Sequence, residues 1–269
     1  MRNYSEHYDK SREYSDFTIQ DNMKYSSLYD LAIDTEFLDT NEHYHDIVKR
    51  LGDKIAYKLD NNVGLSYSAD LAIYVNEWSD VPEIKEFTNY IMPQIERKIF
   101  HCNTHIQFVL PYRNLHNASP QASWLWHYDD CPNEFLKFVV YLNNVDEHNG
   151  CFQYIEGSDG VPLILSSRRT SPIGGIPQQL YKGSRIPPAV IQKMLQEGAK
   201  IKSLTGAPGT YAMLTPNMIH RATVPRAETM PRDCIFFFIR PSLKKRDSYI
   251  NRNTYSILPK RNVKVYDLD

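Results

Sequence analysis

Between Asn41 and Leu59 the apolar residues Ile47, Val48, Leu51, Ile55 and Leu59 recur at three- and four-residue intervals, the period of one helix face. Thr40 stands where an N-cap is needed, and Asn61-Asn62-Val63-Gly64 supplies the stop. A second helix is signed by Asp80 and Glu83 as a capping box, with Pro82 in the first turn, where a missing N–H costs nothing. Ile84, Phe87, Ile91, Ile95 and Ile99 form its apolar stripe, and Pro93 inside the stripe predicts a kink. Two such helices ahead of the strands are suited to packing on the outside of a sheet. Residues 1–35 are polar, tyrosine-rich and without clear periodicity, so they read as loop and short elements, an arm over the core.

From His105 the pattern changes to short apolar runs. Ile106–Leu110, Phe135–Leu142, Cys151–Ile155, Tyr211–Leu214 and Cys234–Ile239 read as strands, with loop at 111–123 and a turn from Asn143 to Gly150. Residues 158–205 carry few strand signals; they hold Gly174-Gly175, Pro187-Pro188 and one short helix, Ala189 to Glu197. Several short strands with turns between them indicate a β-sandwich or barrel. No repeat, low-complexity stretch or linker divides the chain, so one domain spans 1–269. Within it, 1–100 is helical support, 105–240 the β core, 158–205 an insert or lid, and 241–269 a basic tail wrapping the surface.

Composition changes this picture little. The 269 residues hold 42% hydrophobic and 23% charged residues, ordinary for a globular chain. A net charge of −1 argues against a nucleic-acid partner. No run is long and apolar enough for a membrane span, and the polar start is unlike a signal peptide. Cys102, Cys131, Cys151 and Cys234 stand far apart, which fits neither a zinc ribbon nor a disulfide framework. The expectation is a reduced, cytoplasmic protein with no membrane partner.

The candidate chemistry sits at Trp126-His127-Tyr128-Asp129. On an extended segment His127 and Asp129 point to the same side, whereas Asp130 does not. His220 follows 93 residues after His127 and can complete a set of three metal ligands. Two imidazoles and one carboxylate leave coordination positions open, which suits non-haem Fe(II) that binds a co-substrate and O₂. Beyond a glycine-launched strand, Gly209 to Leu214, and His220 comes Arg232, at the head of the last strand. Its fork suits the distal carboxylate of a dicarboxylic co-substrate, with Thr223 as a hydroxyl helper and Arg226 as a competitor for the role. One of Trp124 and Trp126 is expected to pack around the metal. An isolated His-x-Asp is more often an ordinary hydrogen-bonded pair, so the weight rests on the combination.

The order His-x-Asp, strand, turn, Gly, His and then Arg resembles the Fe(II)/2-oxoglutarate-dependent dioxygenases, and within them the phytanoyl-CoA dioxygenase-like branch. The stretch from Phe138 through Asn149-Gly150 to Gly157-Ser158 is similar to that branch, with Asp159 in place of its usual His. The likeness covers about 105–240. It implies a mainly β fold with flanking helices and a double-stranded β-helix (jelly-roll, cupin-like) core. It implies His127, Asp129 and His220 as iron ligands, Arg232 and Thr223 at 2-oxoglutarate, and Gln107 and Tyr141 as further contacts. It also implies oxidation of an unactivated C–H bond of a small molecule, with release of succinate and CO₂. Asp129 in the ligand set argues for hydroxylation rather than halogenation. Arg168, Arg169, Lys182, Arg185, Lys193, Lys200 and Lys202 in the insert suggest a substrate bearing carboxylate or phosphate. The alternatives are a cupin-like metal enzyme that does not use 2-oxoglutarate and a non-catalytic jelly-roll binding protein.

Overall fold

Three layers of apolar side chains organise the chain. The structure, a computed structural model, describes residues 4–13, 28, 31–76, 78–117, 119–129, 131, 134–165, 184–245 and 247–250. Along it run α1 (Tyr4–Glu13), β1 (Ile33–Asp34), α2 (Glu42–Asp60), β2 (Leu65–Tyr67), β3 (Leu71–Tyr74) and α3 (Pro82–Ile95). Then come β4 (Thr104–Asn114), β5 (Leu136–Tyr141), β6 (Phe152–Glu156), α4 (Pro188–Gln196), β7 (Lys200–Leu204), β8 (Tyr211–Leu214), β9 (His220–Ala222) and β10 (Asp233–Pro241).

The large sheet has the order β1-β8-β5-β10-β4-β3-β2, and a smaller one the order β7-β6-β9. All pairings are antiparallel. Together they form the double-stranded β-helix, or jelly roll, that the sequence resemblance implies.

Alternation sorts the side chains. On β10, Ile235, Phe237 and Ile239 join the cluster beneath α2 and α3, while Cys234, Phe236 and Phe238 face the small sheet. On β5, Phe138 and Val140 go to the helices, and Val139 and Tyr141 go inside. Ile106 and Phe108 on β4 should share a face, yet they belong to opposite clusters. The cause is a bulge: Phe238 pairs with Phe108 and Ile239 with Ile106, leaving Gln107 as the extra residue. A third cluster, with Trp126, Tyr128, Ile155, Ile219, Ile191 and Met194, covers the outer face of the small sheet.

The helices form as the pattern dictates, but their caps differ from expectation. Asn41, not Thr40, caps α2, and its Oδ1 accepts the Tyr44 N–H at 3.1 Å. At α3 Pro82 holds the first turn, but Val81 is the cap and no side chain bonds there. Asp80 is instead taken by Lys58 Nζ at 2.7 Å and by the Tyr74 hydroxyl, so the capping box does not form. Regular α geometry continues past Pro93 to Ile95 and opens into a π turn, Glu96–Phe100. The N-terminal stretch, read as loop and short elements, contains the ten-residue helix α1, which rests against β10. The turn before β6 ends on Gly150, with φ +98°, where a Cβ would fall 2.4 Å from Asn114 Nδ2. No helix among the described residues is long and apolar enough to cross a membrane.

Candidate metal centre

Backbone pairing brings the distant candidate ligands together. His127 N–H donates to His220 O and His220 N–H to His127 O, both at 2.9 Å. This is the hydrogen-bonded pair of an antiparallel ladder, which places both side chains on one face. Asp129 N–H donates to Pro216 O at 3.0 Å, which holds the next inward residue. On the other flank Ile186 N–H bonds Trp126 O and Tyr128 N–H bonds Ser184 O, so the segment 126–128 is bridged on both sides, to β9 and to 184–186. His127 and Asp129 therefore face the interior, and Trp126 and Tyr128 face the outer cluster. Of the two tryptophans, Trp126 lies under the Arg221 guanidinium on the outer side, and Trp124 donates to Asn114 Oδ1. Asp130, the competing acid, lies outside the described residues.

One ligand atom from each of His127, Asp129 and His220 lies within 4.8 Å of the others. His127 Nε2 is 3.8 Å from Asp129 Oδ1, and His220 Nε2 is 3.7 Å from Asp129 Oδ2. Each ring directs Nδ1 at a carbonyl two residues back, Leu125 O and Met218 O, both at 2.7 Å. A carbonyl can only accept, so each Nδ1 carries the proton and each Nε2 offers a lone pair. Burial holds both imidazoles neutral, His127 pushed down to about 4 and His220 well below its ordinary value. Burial alone would raise the Asp129 carboxyl, but contact with the Lys137 ammonium opposes it and the group stays well below the usual range. Neutral nitrogens and an ionised carboxylate are what a divalent cation needs, with no proton to displace.

Arg232 is 1% exposed, just before β10. Its N–H is held by Asn149 O at 2.9 Å and its carbonyl by Asn114 N at 3.0 Å. Its Nη2 donates to Tyr112 Oη at 3.0 Å, while Nε and Nη1 have no partner among the described residues. Its guanidinium carbon lies 5.6 Å from the Tyr112 ring centre and 5.8 Å from that of Tyr141. Tyr141 Oη donates to Leu204 O at 2.9 Å and accepts the Phe152 N–H at 3.1 Å, and the Phe152 ring stacks 5.2 Å from His220. The arginine and the triad thus share one interior layer. Two orphaned, buried, cationic donors fit a carboxylate.

The remaining expected residues are placed unevenly. Tyr141 walls Arg232, with its hydroxyl occupied by protein partners. Thr223 Oγ1 lies 3.6 Å from Cys151 Sγ, at the end of β9. Gln107 occupies the bulge, bonded at 3.0 Å to Arg240, and sits at the far end of β10 from Arg232, roughly 20 Å along the strand. Arg226 is exposed on the turn before β10, whereas Arg232 is interior. In the insert, Arg168, Arg169 and Lys182 lie outside the described residues. Arg185 is described, half-buried and bridged to His127. Sequence reasoning missed Lys137, whose ammonium presses on Asp129 Oδ2. Its parity with Tyr141 was the available signal, since both are odd-numbered positions of one strand.

No family model matches the sequence, and no curated protein matches it. Among solved structures, EctD from S. alaskensis with bound Fe superposes with a TM-score of 0.52 at 15% identity, covering 86% of this chain and 83% of that one. The same protein with 2-oxoglutarate and 5-hydroxyectoine gives 0.52 at 15%, covering 84% and 79%. The epimerase SnoN in complex with Fe3+, alpha ketoglutarate and nogalamycin RO gives 0.51 at 12%, covering 73% and 75%. At such identities the likeness is one of fold.

Proposed function

We propose that the protein is a non-haem Fe(II)- and 2-oxoglutarate-dependent dioxygenase that hydroxylates or otherwise oxidises an unactivated C–H bond of a small molecule. The observation that carries this reading is Arg232, a buried guanidinium with two nitrogens unpartnered among the described residues, in the same layer as two neutral imidazoles and an ionised carboxylate. The triad alone suits many metal proteins; a carboxylate receptor behind it singles out a dicarboxylic co-substrate. The solved neighbours hold Fe and 2-oxoglutarate, which supports the same pairing here.

In this reading His127, Asp129 and His220 hold the iron, and Arg232 receives the distal carboxylate of 2-oxoglutarate. Tyr112 fixes the arginine's fork, Tyr141 walls it, and Thr223 adds a hydroxyl nearby. Gln107, bonded to Arg240 at the other end of β10, is too far from Arg232 to share that carboxylate. Ferrous iron with 2-oxoglutarate and O₂ supplies the oxidant for the C–H bond, releasing succinate and CO₂. The chain's own work is to orient that set and to exclude water with the Phe152, Val139 and Phe236 layer. SnoN is an epimerase, so the fold leaves the outcome of the oxidation open; Asp129 in the ligand set favours hydroxylation over halogenation. The four free cysteines support a reducing, cytoplasmic setting.

The test is anaerobic mixing with Fe(II) and 2-oxoglutarate. A weak visible charge-transfer band is expected in the wild type and not in His220→Ala. A band absent from the wild type removes the reading and favours a metal protein that does not use 2-oxoglutarate, or a binding protein.

A further inference from the structure

Lys137 is a buried cation beside the triad to which an iron and 2-oxoglutarate site assigns no task. It is 6% exposed, on the inner face of β5, and its ammonium contacts Asp129 Oδ2. The same ammonium lies 5.1 Å from the Phe236 ring centre and 4.9 Å from that of Phe238. An ammonium removed from water costs several kcal/mol unless an anion compensates it. Asp129 compensates it only while that carboxylate is not shared with a dication.

With iron and 2-oxoglutarate bound, as the proposed function requires, the charges of the site do not balance. The two positive charges of Fe(II) and the one of Arg232 are cancelled by Asp129 and by the two carboxylates of 2-oxoglutarate. Lys137 then stands as one uncancelled positive charge in a dry interior. Arg185 adds to it at the rim. It is bridged directly opposite His127, so its side chain leaves the strand on the same inward face. No carboxylate among the described residues bonds its guanidinium.

We propose that Lys137 reads the charge of the substrate, and that the substrate is a small organic acid whose carboxylate pairs with this ammonium beside the metal. Binding the acid cancels the charge of Lys137 and places the rest of the molecule against Phe236 and Phe238. An uncharged analogue is disfavoured, because it leaves the ammonium buried and unpaired.

The probe pair is butyrate and butyramide, equal in size and different in charge. Protein loaded with Mn(II) and 2-oxoglutarate is titrated with each, and paramagnetic relaxation of the probe's protons reports approach to the metal without turnover. In the wild type, butyrate is expected to saturate at a concentration at least tenfold lower than butyramide. Lys137→Met is expected to abolish the preference and Lys137→Arg to retain it; Lys137→Gln replaces the Met variant if near-UV circular dichroism shows that Met disturbs the fold. In a separate arm with no acid present, Lys137→Met is expected to bind Mn(II) about tenfold more tightly, since the ammonium no longer competes for Asp129. Equal binding of the two probes in the wild type overturns the proposal. So does a preference that survives in Lys137→Met, because the metal alone then attracts the acid. Failure of the wild type to take up Mn(II) or 2-oxoglutarate overturns the functional reading and this proposal with it, whereas uptake without preference overturns the proposal alone.

Discussion

Replacing Arg232 by Met separates a ligand-binding arginine from a structural one. A structural arginine uses its donors inside the protein, and its loss weakens the fold. Arg232 gives only Nη2 to a protein acceptor, Tyr112 Oη at 3.0 Å, and leaves Nε and Nη1 unpartnered. Losing the Tyr112 bond costs about 1 kcal/mol, while removing an uncompensated buried charge returns a comparable amount or more. The metal-free variant is therefore expected to unfold at the wild-type temperature or above it. Binding of 2-oxoglutarate should move the other way. Two charge-assisted hydrogen bonds are lost at about 1.5 kcal/mol or more each, so about 3 kcal/mol in all, or roughly a hundredfold in Kd. Calorimetric titration of the Mn(II)-loaded protein measures the second quantity and a thermal melt the first. A variant that binds 2-oxoglutarate within threefold of the wild type, or melts several degrees lower without ligand, would refute the reasoning.

Burial leads to two more expected outcomes. His127 is neutral in the fold with its pKa pushed down to about 4, and His220 is shifted in the same direction. In the unfolded chain each takes a proton near pH 6.5, so the stability this provides is complete above that pH and is lost as pH falls towards 4. For His127 alone the loss is about 3 kcal/mol; urea unfolding of the metal-free protein measures it, and a stability flat between pH 6.5 and 4.5 would contradict it. Phe237→Ala empties a site that is 0% exposed and stacked 5.8 Å from Phe87 on α3. It is expected to cost about 3–5 kcal/mol, read from the urea midpoint, and a loss under 1 kcal/mol would show that α3 does not depend on this face.

Much of the core was legible because alternation and helical spacing are properties of one short segment at a time. Cys234–Ile239 announced a strand, and Ile47 to Leu59 a helical stripe, before any partner was known. The short strands β1, β2, β3, β7 and β9 were not legible. Unlike β6 and β8, these segments did not stand out as apolar runs between turn signals, and what makes them strands is the neighbour they pair with. The same limit explains the caps: Asp80 suits the start of α3, but Lys58 and Tyr74 arrive from other elements and take it.

The site divides along the same line. The sequence by itself determined that His127 and Asp129 share a face wherever the segment runs extended, and that a histidine and an arginine of suitable chemistry lay downstream. Only the tertiary structure decided that His220 pairs backbone to backbone with His127, that Arg232 is interior while Arg226 is in water, and that a bulge displaces Gln107. It also decided that the ammonium of Lys137 meets Asp129. The physical reason is that side-chain direction is set locally by backbone geometry, whereas register between segments 93 residues apart is set by which hydrogen bonds and apolar faces the whole sheet satisfies at once.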